Sequence, residues 1–452
     1  MNKLLPLILV LAGCSFIPNY ERPAAPVPDA WPLKVGAGET AASSDWRAFF
    51  TDPQLRKLIA AALEYNRDLR IAVARVDEAR ALAGIVRADR FPTLDVNLQQ
   101  QVAKLPGDLN SSAQSMINRR YDANLGIAAF ELDFWGRVNS LETAARANFF
   151  ASEFAQRAFR LTLIADVAGA YYSLAELAAR LALAEATVES RIASRRLVEQ
   201  RRDVGLANDL DFLAADGAYQ GARAEAASLA RQRAAAENAL RLLVGNDISA
   251  VLPAPTFAAL PEIAVGLPSE VLLNRPDVLA AEQKLIAANA NIGAARAAFL
   301  PKIVLTATAG TASRALSGLF GAGSGAWSFV PLLRWPLFDA GRSEANVDLA
   351  EVRKNIAVAE YEKTIQQAFR EVADLLAARE HYAGQLQALE AAEAAQAERL
   401  KRVAQRHFGG VSSYLELLDA QREHFAAQQS VLAVRRAQAA TGASLYKALG
   451  GG

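Results

Sequence analysis

The chain has 452 residues, and its 49 basic and 48 acidic residues leave a formal net charge of +1. This balance argues against a nucleic-acid-binding surface and against any partner held mainly by charge. No run of about 18 apolar residues is present, which excludes a transmembrane helix, and the single cysteine excludes a disulfide within the chain.

The N-terminus has the pattern of a secretion signal. Residues 1–13 place a lysine before the apolar run LLPLILVL and end in small residues, which predicts a signal peptide. The string LAGC resembles a bacterial lipobox, which implies that Cys14 becomes the mature N-terminus and carries covalent lipid. An ordinary signal peptide followed by a chance cysteine is the alternative. Ser15 is not the aspartate that marks inner-membrane retention, so the lipoprotein hypothesis places the anchor in the outer membrane. The proline-rich residues 14–50 are predicted to be the lipid anchor and an extended tether.

The remainder of the chain contains an internal repeat. The segment that begins at Gly136 recurs 205 positions later at Gly341, and each copy has the pattern of a helix, two strands, a very long helix and a long helix. We predict a first repeat over residues 51–245, a linker over 246–268 and a second repeat over 269–452. One such unit cannot bury its faces alone, so the pattern predicts a pseudo-symmetric ring of mixed α and β structure.

Each repeat contains two segments in which apolar and polar residues alternate. Their length of about ten residues suits tilted transmembrane β-strands, although a half-buried soluble sheet would give a similar pattern. The connections 105–118 and 314–325 are rich in Gly, Ser or Asn, which favours the surface loops of an outer-membrane barrel. The predicted strands are 93–102, 121–129, 303–310 and 327–335, and the polar residues expected to face a lumen are Asp95, Asn97, Gln99, Asp122 and Asn124.

Proline-free stretches predict the long helices. Residues 137–203 carry two lines of apolar residues at heptad-like spacing, one of them ending at Ile192. Two such lines predict a helix with a neighbour on each side, as in a closed ring, whereas a long helix in an ordinary bundle is the alternative. Gly205 and Gly410 are predicted to end the long helices and open tight turns. The other predicted helices are 53–90, 208–245, 270–299 and 412–449.

The sequence contains no catalytic motif. It lacks HExxH, CxxC, GxSxG and a glycine-rich phosphate loop, which argues against an enzyme and against a bound metal or a cofactor other than lipid on Cys14. The carboxylates Asp211, Glu416 and Asp419 stand just after the two predicted turns. They are the candidate functional residues, and three solvated acids on helix faces are the alternative.

Strings spread along the whole chain carry a family resemblance: LAGC, PNYERPAAPVPDAWP, LLNRPDVLAAEQKLIAANANIGAARAAFLPKIVLT, WPLFDAGR, GGVSSYLELLDAQR and SLYKALGG. In these residues the chain resembles the TolC-type outer-membrane channels, in the lipoprotein branch that serves resistance-nodulation-division pumps (the NodT-like group). The resemblance implies a homotrimer with a 12-stranded transmembrane β-barrel, continued by a long periplasmic α-helical barrel. It also implies a passive export duct for small molecules in the outer membrane of a Gram-negative bacterium, working with a periplasmic adaptor and an inner-membrane pump of that class.

Two implications of the resemblance can be tied to residues. Four strands cannot close around a lumen and open edges cannot lie in lipid, so three chains with four strands each agree with the sequence. Carried over from the family, Glu416 and Asp419 line a closed periplasmic aperture, and Asp211 on the neighbouring helix pair holds it. Ser412 stands where some members have a gate-locking arginine, so the residues that lock the gate in this chain are not identified.

Two other functions stay open from the residues: a type I protein-secretion duct, and a lipid-anchored periplasmic coiled-coil adaptor without a pore. The lipobox and the string Arg275-Pro276-Asp277 favour the pump branch, and the strands argue against the poreless adaptor. The exported substrate is not readable from the sequence, so drugs, solvents and metal ions all stay candidates.

Overall fold

The computed structural model describes residues 15–32, 45–109, 114–246, 257 and 268–451. The predicted signal peptide 1–13, Cys14 and nearly all of the predicted linker 246–268 lie outside the described residues. The helices are α1 (Trp46–Phe49), α2 (Pro53–Tyr65), α3 (Arg67–Ala88), α4 (Arg137–Asp203), α5 (Asp209–Val244), α6 (Pro268–Leu273), α7 (Pro276–Ala297), α8 (Arg342–Phe408) and α9 (Tyr414–Ala448). The strands are β1 (Leu94–Leu105), β2 (Met116–Leu132), β3 (Lys302–Ser313) and β4 (Gly325–Arg334).

The two long helices agree with the repeat. α4 covers the predicted range 137–203, and α8 begins and ends 205 positions later, so each has 67 residues. No helix in the described ranges holds an apolar stretch long enough to span a bilayer.

One of the two predicted apolar lines on α4 leaves the core near its end. Ile192 is 40% exposed, whereas the buried residues after Leu181 are Ala184, Arg191 and Val198. A step of three residues from Leu181 to Ala184 turns the buried line away from Ile192, since an α-helix advances about 100° per residue. Ile192 therefore lies outside the core of the single chain, and its packing against a neighbouring helix stays a prediction. The buried Arg191 occupies the adjacent core position.

Each of the two shorter predicted helices is split. The segment 53–90 breaks at Asn66, a buried residue whose Oδ1 accepts a hydrogen bond from the backbone amide three residues on at 2.8 Å. Its Nδ2 donates to the Leu243 carbonyl at 2.8 Å. An asparagine in this role starts a new helix. The segment 270–299 breaks at the corresponding place, because Pro276 disfavours helical backbone in the residue before it.

The described part of the predicted tether 14–50 is extended but ends in a helix. Trp46 and Phe49 of α1 are both buried, and Phe49 stacks on Tyr446 with ring centroids 4.8 Å apart. Large aromatic side chains gain much free energy from burial, which explains why this segment docks instead of staying extended. The extended tether is thus shorter than predicted.

The first described residues of the tether are held against α7. The Pro18 carbonyl accepts a hydrogen bond from Asn289 Nδ2 at 2.7 Å. The Tyr20 hydroxyl lies 3.0 Å from a carboxylate oxygen of Glu282, and Arg22 Nε lies 2.7 Å from the same oxygen. An extended segment has no internal hydrogen bonds, so these side-chain contacts fix its course.

The described residues form two compact units. The strand unit contains the described residues before Ala25 together with Arg75–Glu153 and Ala280–Tyr361. The helix unit contains the described residues of Ala25–Ala74, Phe154–Leu279 and Glu362–Gly452. Fully buried side chains in the helix unit include Phe50, Leu55, Tyr171, Tyr172 and Tyr446.

The strand unit holds one antiparallel sheet with the order β1-β2-β3-β4. Side chains alternate between the two faces of a sheet, and the register places all five polar residues expected to face a lumen on one face, here called the polar face. The register pairs that show this are Asp95–Gly126, Asn97–Asn124 and Gln99–Asp122.

The opposite face, here called the apolar face, carries large hydrophobic side chains. Val96 pairs with Leu125, Leu125 with Ala309, and Ala309 with Trp327. Val96 is 72% exposed and Trp327 is 80% exposed. An extended apolar face on a sheet with a polar opposite face is the pattern of a strand set that lies between lipid and lumen.

The strands have two different ends. At one end each strand joins a helix in the chain order α3–β1, β2–α4, α7–β3 and β4–α8. At the other end β1 and β2 are joined by one loop, and β3 and β4 by another. These are called the helix end and the loop end below.

Candidate functional site

The two turns that follow the long helices have the same geometry. Gly205 and Gly410 have φ values of +77° and +76°, in the left-handed region that favours glycine. The carbonyl of Arg201 accepts a hydrogen bond from the amide five residues on at 2.7 Å, and the carbonyl of Arg406 does the same at 2.8 Å. These contacts close each long helix and reverse the chain within a few residues.

A polar residue caps each returning helix, and one candidate carboxylate stands three residues beyond each cap. The Asn208 side chain accepts a hydrogen bond from the Asp211 amide at 2.8 Å, and Ser413 Oγ accepts one from the Glu416 amide at 3.2 Å. The positive end of the helix dipole stabilises a carboxylate in the first turn. Both acids therefore have a structural role beside any role in a channel.

Asp419 lies one turn further along α9 and is bound by two arginines. Its carboxylate is 2.7 Å from Arg399 on α8 and 2.7 Å from Arg422 on α9. The hydrogen bond from Arg399 is the main cause that holds the pKa of Asp419 below its usual range. Glu416 forms no ion pair with any residue in the described ranges, so the two acids present different amounts of free negative charge.

Glu416 and Asp419 both line a groove of the helix unit. The groove has a volume of about 790 Å³ and is lined by residues of α4, α5 and α9, with apolar side chains such as Leu415 and Leu418 beside the acids. Asp211 is not among the lining residues. The structure thus brings two of the three predicted carboxylates together and leaves the third beside the turn.

Arg191 is a further candidate, which the sequence did not indicate. It is 8% exposed, lines the groove and donates a hydrogen bond to Gln421, and burial lowers its pKa. The hydroxyl of Tyr414 is buried without a hydrogen-bond partner among the described residues. Burial raises the pKa of Tyr414; Arg191 works against that shift and the charge of Asp211 adds to it.

The fold and this site define a class of protein. A sheet with one polar and one apolar face, joined at one end to helices of 67 residues, is the subunit architecture of an outer-membrane channel with a helical section. Within the described ranges no group of three or more His, Cys, Asp or Glu side chains is placed to hold a metal ion.

The chain belongs to the outer membrane efflux protein family, which it matches over residues 58–246 and 267–451. It is 45% identical to the solvent efflux pump outer membrane protein SrpC of Pseudomonas putida, over 100% of this chain and 98% of that protein. It is 44% identical to the outer membrane protein OprJ of Pseudomonas aeruginosa, over 99% of this chain and 94% of that protein.

Solved structures have the same fold. A membrane protein from Pseudomonas aeruginosa matches with a TM-score of 0.92 at 44% identity, covering 97% of this chain and 98% of the other. The open state of the MtrE outer membrane channel of Neisseria gonorrhoeae matches with a TM-score of 0.86 at 37% identity, covering 97% and 98%. The predicted TolC-type fold is confirmed. The chain is an outer-membrane component of an efflux pump in a Gram-negative bacterium, which favours the pump branch over the two alternative functions.

Proposed function

We propose that the chain is the passive outer-membrane duct of a tripartite efflux pump and that it works as a homotrimer. The observation that carries the proposal is the open sheet, of which β1 and β4 are the edges. Unpaired strand edges are not tolerated in lipid, and four strands enclose no lumen. Pairing β4 of one subunit with β1 of the next removes both problems and gives a closed barrel of 12 strands. The polar face then lines the lumen.

Exposed apolar side chains at the two turns support a periplasmic protein partner. Leu206 is 78% exposed and Leu415 is 74% exposed, and apolar surface of this kind in water marks an interaction site. We assign it to a periplasmic adaptor, which links the duct to an inner-membrane resistance-nodulation-division pump. The pump then supplies the energy, and the duct itself performs no catalysis and needs no cofactor beyond its lipid.

The molecules that pass through the duct are proposed to be small and apolar or amphipathic, because a relative of 45% identity is named for solvent efflux. Expression of this chain in a strain that has the pump and adaptor but no channel should restore solvent tolerance. Tolerance that stays at the level of the empty vector would contradict the proposal.

The proposed gate makes a prediction for conductance. If Glu416 and Asp419 ring the closed aperture, replacing both by alanine should raise single-channel conductance in planar bilayers and weaken block by multivalent cations, because carboxylate rings bind cations. Glu416→Ala alone should account for most of the lost block, since Asp419 is already paired with two arginines. Asp209→Ala, an acid of the neighbouring turn, is the control and should leave both properties unchanged. Unchanged conductance and block in the double variant would place the aperture elsewhere.

The proposed lipid anchor makes a separate prediction. Cys14→Ser should abolish incorporation of labelled fatty acid, whereas Ser15→Ala should retain it. The trimer should still insert, because the barrel supplies its own lipid contacts and the tether is held through Glu282 by contacts outside the anchor. Label that persists on the serine variant would show that Cys14 is not the acylated residue.

A further inference from the structure

Charged residues are distributed unevenly between the two faces of the sheet. The apolar face carries two charged side chains among the described strand residues, Lys104 and Arg119, and both are basic. The carboxylates and the other basic residues of the strands lie on the polar face: Asp95, Arg120, Asp122, Glu131, Lys302 and Arg334.

Lys104 and Arg119 are neighbours at the loop end. Arg119 pairs with Val102 and Lys104 pairs with Ile117, so the two cations are diagonal neighbours on one face. Diagonal neighbours on a sheet are about 7–8 Å apart, which is within reach of one shared ligand for two long side chains. The position at the loop end places them as far along the strands as possible from the helices.

Neither cation has a partner in the described part of the chain. Both are exposed, and no carboxylate shares their face. Two like charges close together on a sheet face repel each other. Arg120, the next residue along, faces the other way and is paired with Asp122 at 2.8 Å. The unpaired basic pair is therefore a feature of the apolar face and not of this stretch of β2 in general.

On the apolar face, the residue pairs from the loop end toward the helix end follow the polarity profile of a membrane, from headgroups to acyl chains. The next register pair on this face, Gln100 and Tyr121, is hydrogen-bonded at 3.2 Å. Tyrosine favours the interface between headgroups and acyl chains. The following pairs, Leu98–Ala123 and Val96–Leu125, are wholly apolar. Basic, amphipathic and apolar pairs thus succeed each other over about 27 Å of strand.

We propose that Lys104 and Arg119 bind the phosphate group of an anionic lipid of the outer leaflet, with its acyl chains lying on the apolar face beneath them. The inference rests on the proposed barrel, because it needs the apolar face in lipid and the loop end at the cell surface. An arginine or lysine on the lipid face of a barrel is tolerated near the interface and costly near the midplane, which agrees with their place at the strand ends.

The test uses the purified trimer in detergent and native mass spectrometry, with diphosphorylated lipid A as the probe. The wild-type trimer should bind it, and Lys104→Gln/Arg119→Gln should reduce the affinity by roughly tenfold or more, since each basic residue near a lipid surface contributes about 1 kcal/mol. Arg120→Gln, the matched control on the other face, should bind as the wild type does. Equal binding by the double variant would overturn the proposal.

A second measurement does not depend on the folding of a variant. The wild-type trimer should bind the same lipid after removal of both phosphates at least several-fold more weakly, and equal binding would overturn the proposal. Millimolar inorganic phosphate should not displace the lipid, and full displacement would overturn the lipid as the source of the phosphate. Solvent tolerance of cells and conductance of the trimer report on the proposed duct, so failure of the duct is distinguishable from failure of this site.

Discussion

Val96→Arg is expected to abolish or nearly abolish recovery of the assembled channel. Val96 lies on the apolar face opposite Leu125 and is 72% exposed in the single chain. In the proposed trimer that face lies in lipid, where an arginine costs up to about 2–4 kcal/mol in each subunit, the full amount applying at the midplane. No carboxylate among the described strand residues shares the face, so the new guanidinium finds no partner on these strands. The measurement is the yield of heat-modifiable trimer from outer membranes.

Two control substitutions distinguish an effect of the sheet face on which the arginine lies from a general loss of folding. Asn97→Arg introduces the same side chain one position further on, where the polar face meets Asn124, and it should leave the trimer yield near that of the wild type. Asp95→Leu should also be mild, because a lumen face tolerates apolar substitution. If Val96→Arg and Asn97→Arg gave equal yields, the assignment of the two faces would be wrong.

Long-range features of this fold were predictable because they repeat in the sequence. A glycine that must adopt a positive φ ends each long helix, so the position of the turns followed from Gly205 and Gly410. The alternation of polar and apolar residues also predicted which strand side chains share a face of the sheet. Alternation determines this directly, because successive side chains of a strand point to opposite faces. These features depend on periodicity and on backbone restrictions, which a single sequence displays directly.

Specific side-chain contacts were not predictable in the same way. Asn66 interrupts a helix by bonding to a carbonyl 177 positions away, and Asp419 is neutralised by Arg399 from another helix. Arg191 occupies a core position on α4 that lies outside both predicted apolar lines. Such contacts depend on which helices become neighbours, and spacing along one helix does not contain that information.

The buried guanidinium of Arg275, in the string Arg275-Pro276-Asp277, is the centre of a charge network. The guanidinium lies 2.8 Å from Asp277 and 2.8 Å from Glu371, and Nη1 donates to the Ala448 carbonyl at the end of α9 at 2.8 Å. Lys447 adds a contact to Glu371 at 3.0 Å. Arg275 is buried, with a side chain 6% exposed. The residue thus ties together the start of α7, the middle of α8 and the end of α9.

Arg275→Met should destabilise the helix unit by about 3 kcal/mol at neutral pH, because Asp277 and Glu371 lose their shared cation and the Ala448 carbonyl loses its donor. This is the lower end of the usual range, since the carboxylates of Asp277 and Glu371 are 39% and 30% exposed. Arg435→Met is the control: it removes an exposed ion pair with Glu390 and should cost at most about 1 kcal/mol. The measurement is the thermal midpoint of helical circular dichroism of the purified trimer.

The destabilisation by Arg275→Met should shrink as the pH falls. Burial alone would raise the pKa of Asp277 and of Glu371, but the hydrogen bonds from Arg275 outweigh it and hold both pKa values below their usual range. Stability from such depressed carboxylates is fully present above their unfolded pKa values of about 4 and is lost as the pH falls through the folded ones. Without Arg275, burial favours protonation of Asp277, so the variant loses less stability on acidification than the wild type. A difference between the two midpoints that stays constant from pH 7 down to about pH 3, below the unfolded pKa values, or that grows, would show that Arg275 acts through packing and not through these charges.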